Sequence, residues 1–144
     1  MKETVVFPIT NFKEIKLKLL DWIKQFSSFC LLDNHQYHPV TSRHDEPAFE
    51  CLLAAGSKHS ITLPAGHAFE ELQRFSEQHP REWLFGHFGY DLKNETELLH
   101  SSNFDGIHFP DLHFFVPETV IKLTEEQLFI YSDKPADVLM RVIE

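Results

Sequence analysis

One polar loop gathers side chains that could hold a small zwitterion. Residues 33–46 lack apolar periodicity and directly follow the apolar run 28–32; long ordered loops are often functional. The loop offers an amide, hydroxyls, a guanidinium and an imidazole on Asn34, Thr41, Ser42, Arg43 and His44. Arginine binds carboxylates in a fork, and an amide both donates and accepts hydrogen bonds. The loop predicts either a ligand site or a solvated connection in which Ser42 and Arg43 brace it onto Asp45.

Ten histidines raise the question of a metal site. His35, His38 and His44 share the polar loop, but zinc usually needs three or four ligands that close a tetrahedron. The chain has no Cys-x-x-Cys and no His-Glu-x-x-His pattern. We therefore predict no metal site and no cofactor in this chain. A histidine-rich metal-binding protein is the competing interpretation.

No residue pattern indicates a catalytic centre, and we predict no catalytic residue. There is no Gly-x-Ser-x-Gly elbow, and Cys30 and Cys51 lie in apolar runs where reduced cysteines act as small core hydrophobes. The carboxylate pairs at 70–71 and 125–126 are expected to be solvated. Because no helix is expected after Gly86-x-x-Gly89, these glycines indicate close backbone approach or a bulge rather than a phosphate loop.

Hydrophobic patterning predicts an α+β fold of mainly antiparallel sheets with two or three flanking helices. Helices are expected over 11–26, 68–78 and 136–144, with a further short helix over 94–100. Strands are expected over 4–9, 28–32, 49–55, 59–63, 83–92, 112–116, 119–123 and 128–131, and 49–55 should pair with 59–63 as a hairpin. Most lysines of the first helix lie off its apolar stripe, so Lys13, Lys16, Lys18 and Lys24 are expected to be solvated.

Length and charge limit the classes of function. The 144 residues fit a single domain, 1–144. With 13 Lys and Arg against 22 Asp and Glu, the net charge of −9 argues against nucleic acid and an anionic membrane as partners. No apolar stretch approaches the ~20 residues of a membrane span, and the N-terminus does not resemble a secretory signal. We predict a cytoplasmic protein.

Four stretches carry a family resemblance. They are Phe29–Asn34, Ser42–Asp45, Trp83–Leu92 (with its Gly-His-Phe-Gly-Tyr-Asp-Leu core) and Phe109–Leu112 (Phe-Pro-Asp-Leu). In this order and spacing they resemble the N-terminal domain of component I of the chorismate-using synthases, aminodeoxychorismate (para-aminobenzoate) synthase and anthranilate synthase. The sequence Tyr-Asp-Leu-Lys-Asn-Glu at 90–95 resembles the aminodeoxychorismate branch more than the anthranilate branch.

The resemblance implies that the chain is the front part of a longer enzyme. The chorismate-binding catalytic domain, with its Mg²⁺ site, is then expected C-terminal to Glu144, in agreement with the apolar last helix. The parent enzyme would convert chorismate and glutamine-derived ammonia to 4-amino-4-deoxychorismate on the folate route. Its expected partners are its own catalytic domain and a separate glutamine amidotransferase subunit.

The resemblance also implies a tryptophan pocket. In anthranilate synthases this pocket is the feedback site, and in aminodeoxychorismate synthases tryptophan can be a tightly held structural ligand. The family's Leu-Leu-x-Ser segment corresponds to Leu31–Asn34, and its Ser-Arg-Phe-like segment to Thr41–His44. Asn34 replaces the expected serine and His44 an expected aromatic residue, so a working pocket and a vestigial one that only joins domains both stay open.

The alternatives are the anthranilate branch of the family and a stand-alone module that binds an aromatic amino acid. Trp83, Phe85, Phe109 and Phe114 are the candidates for the joint with the catalytic domain. An apolar patch left exposed at that joint predicts a homodimer.

Overall fold

The computed structural model describes residues 1–37, 49–100 and 102–144, and these residues form an α+β fold. The elements in chain order are β1 (Glu3–Pro8), α1 (Phe12–Ile23), β2 (Phe29–Asp33), β3 (Cys51–Leu63), α2 (Ala68–Gln78), β4 (Phe85–Phe88), a 3-10 turn (Tyr90–Leu92), α3 (Lys93–Thr96), β5 (Leu112–Leu123), β6 (Gln127–Ser132) and α4 (Pro135–Ile143). The predicted class is confirmed. Two or three helices were expected, whereas the described residues contain four, of which α3 is a single turn.

The strands form one six-stranded sheet. Its order is β1-β6-β5-β3-β2, and β4 pairs with β5. The pairs β1–β6, β2–β3, β4–β5 and β5–β6 are all antiparallel, which confirms the predicted pairing sense. The chain divides into two compact units. Unit 1 contains Met1–Gly56 and Glu118–Glu144, and unit 2 contains Ser57–Pro117.

The predicted hairpin between 49–55 and 59–63 is wrong, because β3 is one continuous strand of 13 residues. Gly56 adopts a φ of +73°, which bends the strand without reversing it. Its N–H donates to the carbonyl of Ser28 at 3.0 Å, so pairing toward β2 continues at the bend. The predicted break between 116 and 119 is likewise absent. Pro117 lies between the β5 residues paired with β4 and those paired with β6, outside both registers.

Unit 1 is built around an amphipathic α1. The Asn11 side chain accepts a hydrogen bond from the Glu14 N–H at 3.2 Å and caps the helix as its residue type predicts. The buried stripe of α1 joins apolar residues of β3, β5, β6 and α4 in one core, whose members include Leu19, Trp22, Ile23, Leu53, Ile121, Leu128, Ile130 and Val142. The helix ends at Ile23, before the predicted end at Phe26, and Phe26 packs edge-on against Trp22.

Unit 2 has a smaller core. Ala68, Leu92 and Leu112 are buried there, with partly buried residues of β3, α2 and β5 around them. β4 is much shorter than the strand predicted over 83–92, because the 3-10 turn and α3 begin directly after Gly89. The expectation that no helix follows Gly89 is therefore wrong, although both helical segments are very short. The short helix predicted over 94–100 is α3, displaced toward the N-terminus.

The close backbone approach predicted for Gly86 and Gly89 is confirmed. A Cβ at Gly86 would clash with the carbonyl oxygen of His113, and one at Gly89 would lie 2.9 Å from Cα of Asp111. Both neighbours are backbone atoms that cannot rotate aside. Only glycine lets β4 and the following turn lie this close to β5 and the segment before it.

We expect Gly86→Ala to lower the free energy of unfolding by about 3 kcal/mol, the upper end for overpacking, because the added methyl group meets backbone on β5. Urea unfolding of both proteins measures the difference. Gly106→Ala is the matched control, since its Cβ would meet only the ring of the exposed Phe104, and its change should stay within about 0.5 kcal/mol. Equal losses in the two variants would contradict this role of Gly86.

Candidate functional site

The chain leaves β2 through a tight turn at residues 34–37, here called the Asn34 turn. His35 and Gln36 have φ values of 51° and 57°, the left-handed region that costs a non-glycine residue roughly 1–2 kcal/mol. The Asn34 side chain donates to the Tyr37 carbonyl at 2.9 Å, and the Tyr37 N–H donates back to the Asn34 carbonyl at 3.0 Å. The turn is thus strained and closed by its own asparagine, and such strain is concentrated at functional sites.

Two carboxylates bind the backbone N–H groups of the strained residues. The His35 N–H donates to Oδ1 of Asp33 at 2.8 Å, and the Gln36 N–H lies 3.2 Å from both carboxylate oxygens of Glu50. Successive N–H groups in a left-handed turn form a concavity that favours anions. Here the protein supplies those anions itself.

One ammonium group joins the two carboxylates. Nζ of Lys16 on α1 lies 2.7 Å from Oδ1 of Asp33 and 2.8 Å from Oε1 of Glu50. The side chains are 17%, 19% and 3% exposed for Lys16, Asp33 and Glu50. We call these three residues the Lys16 cluster. The expectation that Lys16 is solvated is wrong, because it lies on the part of α1 that reaches the end of β2 and the start of β3.

The Lys16 cluster shifts the pKa of two members. Desolvation acts to lower the pKa of Lys16, but hydrogen bonds to Asp33 and Glu50 outweigh it and raise the pKa above its ordinary value. Desolvation acts to raise the pKa of Asp33, but hydrogen bonds from Lys16 and the His35 N–H outweigh it and hold that pKa below its ordinary value. Both shifts favour the charged forms, so the ion pairs are intact at neutral pH.

The predicted ligand-binding residues are only partly visible in the fold. Asn34 lies in the turn just described, half-buried. Thr41, Ser42, Arg43 and His44 lie outside the described residues, as do His38 and Asp45. The ligand site and its alternative, a loop braced on Asp45, therefore both stay predictions. Sequence reasoning missed Lys16 and Glu50. The antiparallel register of β2 and β3 could have indicated Glu50, because it sets Asp33 opposite Cys51, the residue next to Glu50.

In unit 2 the structure brings together two of the stretches that carry the family resemblance. Nε2 of His87 lies 3.2 Å from the Pro110 carbonyl, and the Gly89 N–H donates to the Asp111 carbonyl at 2.6 Å. Because a carbonyl only accepts, Nε2 of His87 carries a proton. The Asp111 carboxylate accepts the Ala65 N–H at 2.7 Å. We call these contacts the 87–111 clasp. They join the backbone around Gly89 and Ala65 to the segment Pro110–Asp111.

Large apolar side chains lie exposed along the segment between the two ends of the clasp. Tyr90, Leu98, Phe104 and Ile107 are each more than four-fifths exposed, and Phe109 is also exposed. Exposed apolar side chains that form a contiguous patch usually mark an interaction site, and these four lie within 18 residues of one another in the sequence. Of the four joint candidates, Trp83 and Phe109 are exposed, whereas Phe85 is buried and Phe114 packs against the unit 2 core.

The remaining reactive groups give no sign of an activated nucleophile. Cys30 and Cys51 are both free thiols. Burial raises the pKa of Cys30, and it raises the pKa of Cys51 to about 11, so neither is a thiolate at neutral pH. Within the described ranges, no three His, Cys, Asp or Glu side chains are grouped to hold a metal ion. No helix in the described part of the chain has the length and apolar character to cross a membrane.

No protein-family model matches this chain, and no curated protein matches its sequence. The interpretation of its function therefore depends on the residues themselves. Unit 1 offers a strained turn held by a charged cluster, and unit 2 offers a clasped motif beside an exposed apolar segment. Both arrangements suit binding and docking.

Asp33 should stabilise the fold in a pH-dependent way. Because its folded-state pKa is lowered, its contribution is present above the unfolded value of about 3.9 and is lost as pH falls through the folded value. We expect Asp33→Asn to lower the free energy of unfolding by about 2 kcal/mol at neutral pH. That difference should vanish in stronger acid, which urea unfolding from pH 7 down to pH values below the unfolded one would measure.

Asp21→Asn provides the control for Asp33→Asn. Asp21 pairs with Lys24 on the same α1, but both side chains are largely exposed, and the Lys24 hydrogen bond lowers the Asp21 pKa. The exposed pair should contribute far less at every pH. A pH-independent loss for Asp33→Asn, or equal losses for the two variants, would contradict the Lys16 cluster as described.

Proposed function

We propose that this chain is the N-terminal domain of component I of an aminodeoxychorismate (para-aminobenzoate) synthase. The parent enzyme converts chorismate and ammonia from a glutamine amidotransferase subunit to 4-amino-4-deoxychorismate for folate biosynthesis. The chain itself has a structural and regulatory role in the cytoplasm. The Mg²⁺ and the catalytic groups belong to the C-terminal domain of the same polypeptide.

The 87–111 clasp is the observation that carries this proposal. Trp83–Leu92 and Phe109–Leu112 are the most specific stretches of the resemblance, and they are separated by the whole apolar segment. In the fold they meet through His87 with Pro110 and through Gly89 with Asp111. Residues that resemble a family motif and also form one hydrogen-bonded unit support a shared structural role better than either stretch alone.

The exposed apolar segment supports docking on a further domain. Its charged neighbours are mainly acidic: Asp91, Glu95, Glu97, Asp105 and Asp111, against Lys93 alone between residues 90 and 111. A complementary partner surface is therefore apolar with basic residues around it. We assign this partner to the catalytic domain, and a homodimer through the same segment is the competing outcome.

A second candidate is a module that binds an aromatic amino acid. The Asn34 turn favours it, because the turn is closed and held entirely by residues of this chain. A preorganised turn loses less entropy when a ligand binds. The candidate ligand is tryptophan, held between Asn34 and the segment Thr41–His44.

Activity assays test the main proposal. With chorismate and ammonia, the chain alone should give no product, whereas adding a component I catalytic domain should give 4-amino-4-deoxychorismate at a higher rate than that domain alone. Product formation by the chain alone would refute the assignment, as would a catalytic domain that is indifferent to the chain. A chain that raises the rate of an anthranilate synthase catalytic domain, but not that of an aminodeoxychorismate synthase catalytic domain, would favour the anthranilate branch instead.

Docking should depend on the exposed segment. We expect Phe104→Ser with Ile107→Ser to weaken association with the catalytic domain at least about tenfold, as loss of central apolar contacts does. Analytical ultracentrifugation measures both this association and any homodimer. Leu17→Ser is the control, since Leu17 is an exposed apolar residue of α1 in unit 1. If the double variant associates as well as Leu17→Ser, the segment is not the joint.

A further inference from the structure

Glu50 connects three parts of unit 1 through both its backbone and its side chain. Its N–H donates to the Leu123 carbonyl of β5 at 2.7 Å, and its carbonyl accepts the Asn34 N–H at 2.8 Å. Its carboxylate accepts from Lys16 of α1 and from the N–H of Gln36. The residue is 3% exposed, so its charge is removed from water and depends on these donors.

The two Asn34–Tyr37 hydrogen bonds close the ends of the turn, but the N–H groups of its two positive-φ residues are bound by carboxylates. Two consecutive non-glycine residues with positive φ relax unless the surroundings hold them. The carboxylates of Asp33 and Glu50 do so by accepting the N–H groups of His35 and Gln36. Both carboxylates need Lys16, since without it two like charges would face the same space.

We propose that Lys16 and Glu50 are positioning residues for the Asn34 turn, holding it in the strained conformation in which Asn34 is presented to a ligand. Neither residue is expected to touch that ligand. In so far as the ligand is an aromatic amino acid, the inference rests on the proposed function. The conformation of the turn is a property of this chain alone and can be tested without any ligand.

An ordinary stabilising ion pair would behave differently. Buried ion pairs contribute little net stability on average, because desolvation offsets the attraction, and the best-supported reason to retain them is structural specificity. A stabilising role would affect protection throughout unit 1. A positioning role affects the turn first and leaves the strands beside it intact.

Amide hydrogen exchange on the full chain separates the two roles. In Lys16→Met we expect exchange at His35 and Gln36 to be at least about tenfold faster, while Leu53 and Ala54 of β3 keep their protection, as for a local opening. Glu50→Gln should speed exchange at Gln36. The new side chain keeps one acceptor oxygen but loses the ion pair with Lys16 and the charge that strengthens its hydrogen bond to the Gln36 N–H. Lys16→Arg should restore protection, and Lys24→Met, which removes the exposed pair on α1, should change nothing.

Unchanged exchange at His35 and Gln36 in Lys16→Met would overturn the proposal. Equal acceleration in the turn and in β3 would also overturn it, since that pattern indicates global stabilisation only. If Lys16→Met fails to fold, Glu50→Gln still tests the proposal, because it keeps the size of the side chain and one acceptor oxygen while removing the charge.

Calorimetry with tryptophan tests the functional consequence. If the wild-type chain binds tryptophan, Lys16→Met should weaken binding about tenfold, corresponding to roughly 1.4 kcal/mol, and Lys16→Arg should restore it. Unchanged affinity in Lys16→Met would overturn the positioning role at the ligand site. If the wild-type chain binds no tryptophan, the tryptophan pocket fails, while the exchange data still decide whether Lys16 and Glu50 position the turn.

Discussion

A buried carboxylate constrains the arrangement of unit 1 more than any other described group. Glu50 is almost fully removed from water, and burying an unpaired charge costs far more than a domain's net stability can tolerate. Lys16 must therefore lie where it does, which sets the rotation of α1 against the ends of β2 and β3. The apolar stripe of α1 and the position of Lys16 agree on that rotation, so packing and charge pairing select the same structure.

Unit 2 depends on the absence of side chains rather than on a charge. Gly86 and Gly89 allow β4 and the turn after it to approach backbone at His113 and Asp111 more closely than a Cβ would permit. Once the backbones are this close, the His87 ring reaches the Pro110 carbonyl and the Gly89 N–H reaches Asp111. In the stretch Trp83–Leu92, the glycines permit the close backbone approach, and the hydrogen bonds of His87 and Gly89 depend on that approach.

The sequence predicts local features of this fold well and long-range pairing less well. The apolar periods of α1, α2 and α4 and the cap at Asn11 depend on near neighbours, and the structure agrees with them. Gly56 misled the prediction because glycine is typical of both a reversing turn and a bend within a strand, and only pairing with β2 distinguishes them. Asn34 was reached through the polar loop that follows β2 and again through the resemblance, whereas Lys16 and Glu50 were missed because their roles depend on three segments meeting.

The described parts of the two units carry features of opposite character. A strained turn is useful where a ligand must meet a fixed backbone. In the Asn34 turn the strain is offset by the hydrogen bonds that Asp33 and Glu50 of the Lys16 cluster accept from its N–H groups. An exposed apolar segment has the opposite character. Its surface contributes no burial free energy while it faces water, and contributes only when a partner covers it. Under the proposed function, the Asn34 turn of unit 1 would contact an effector and the exposed segment of unit 2 would contact the catalytic domain. Both features favour the proposed supporting role, because a preorganised turn suits contact with a ligand and an uncovered apolar surface suits a partner domain.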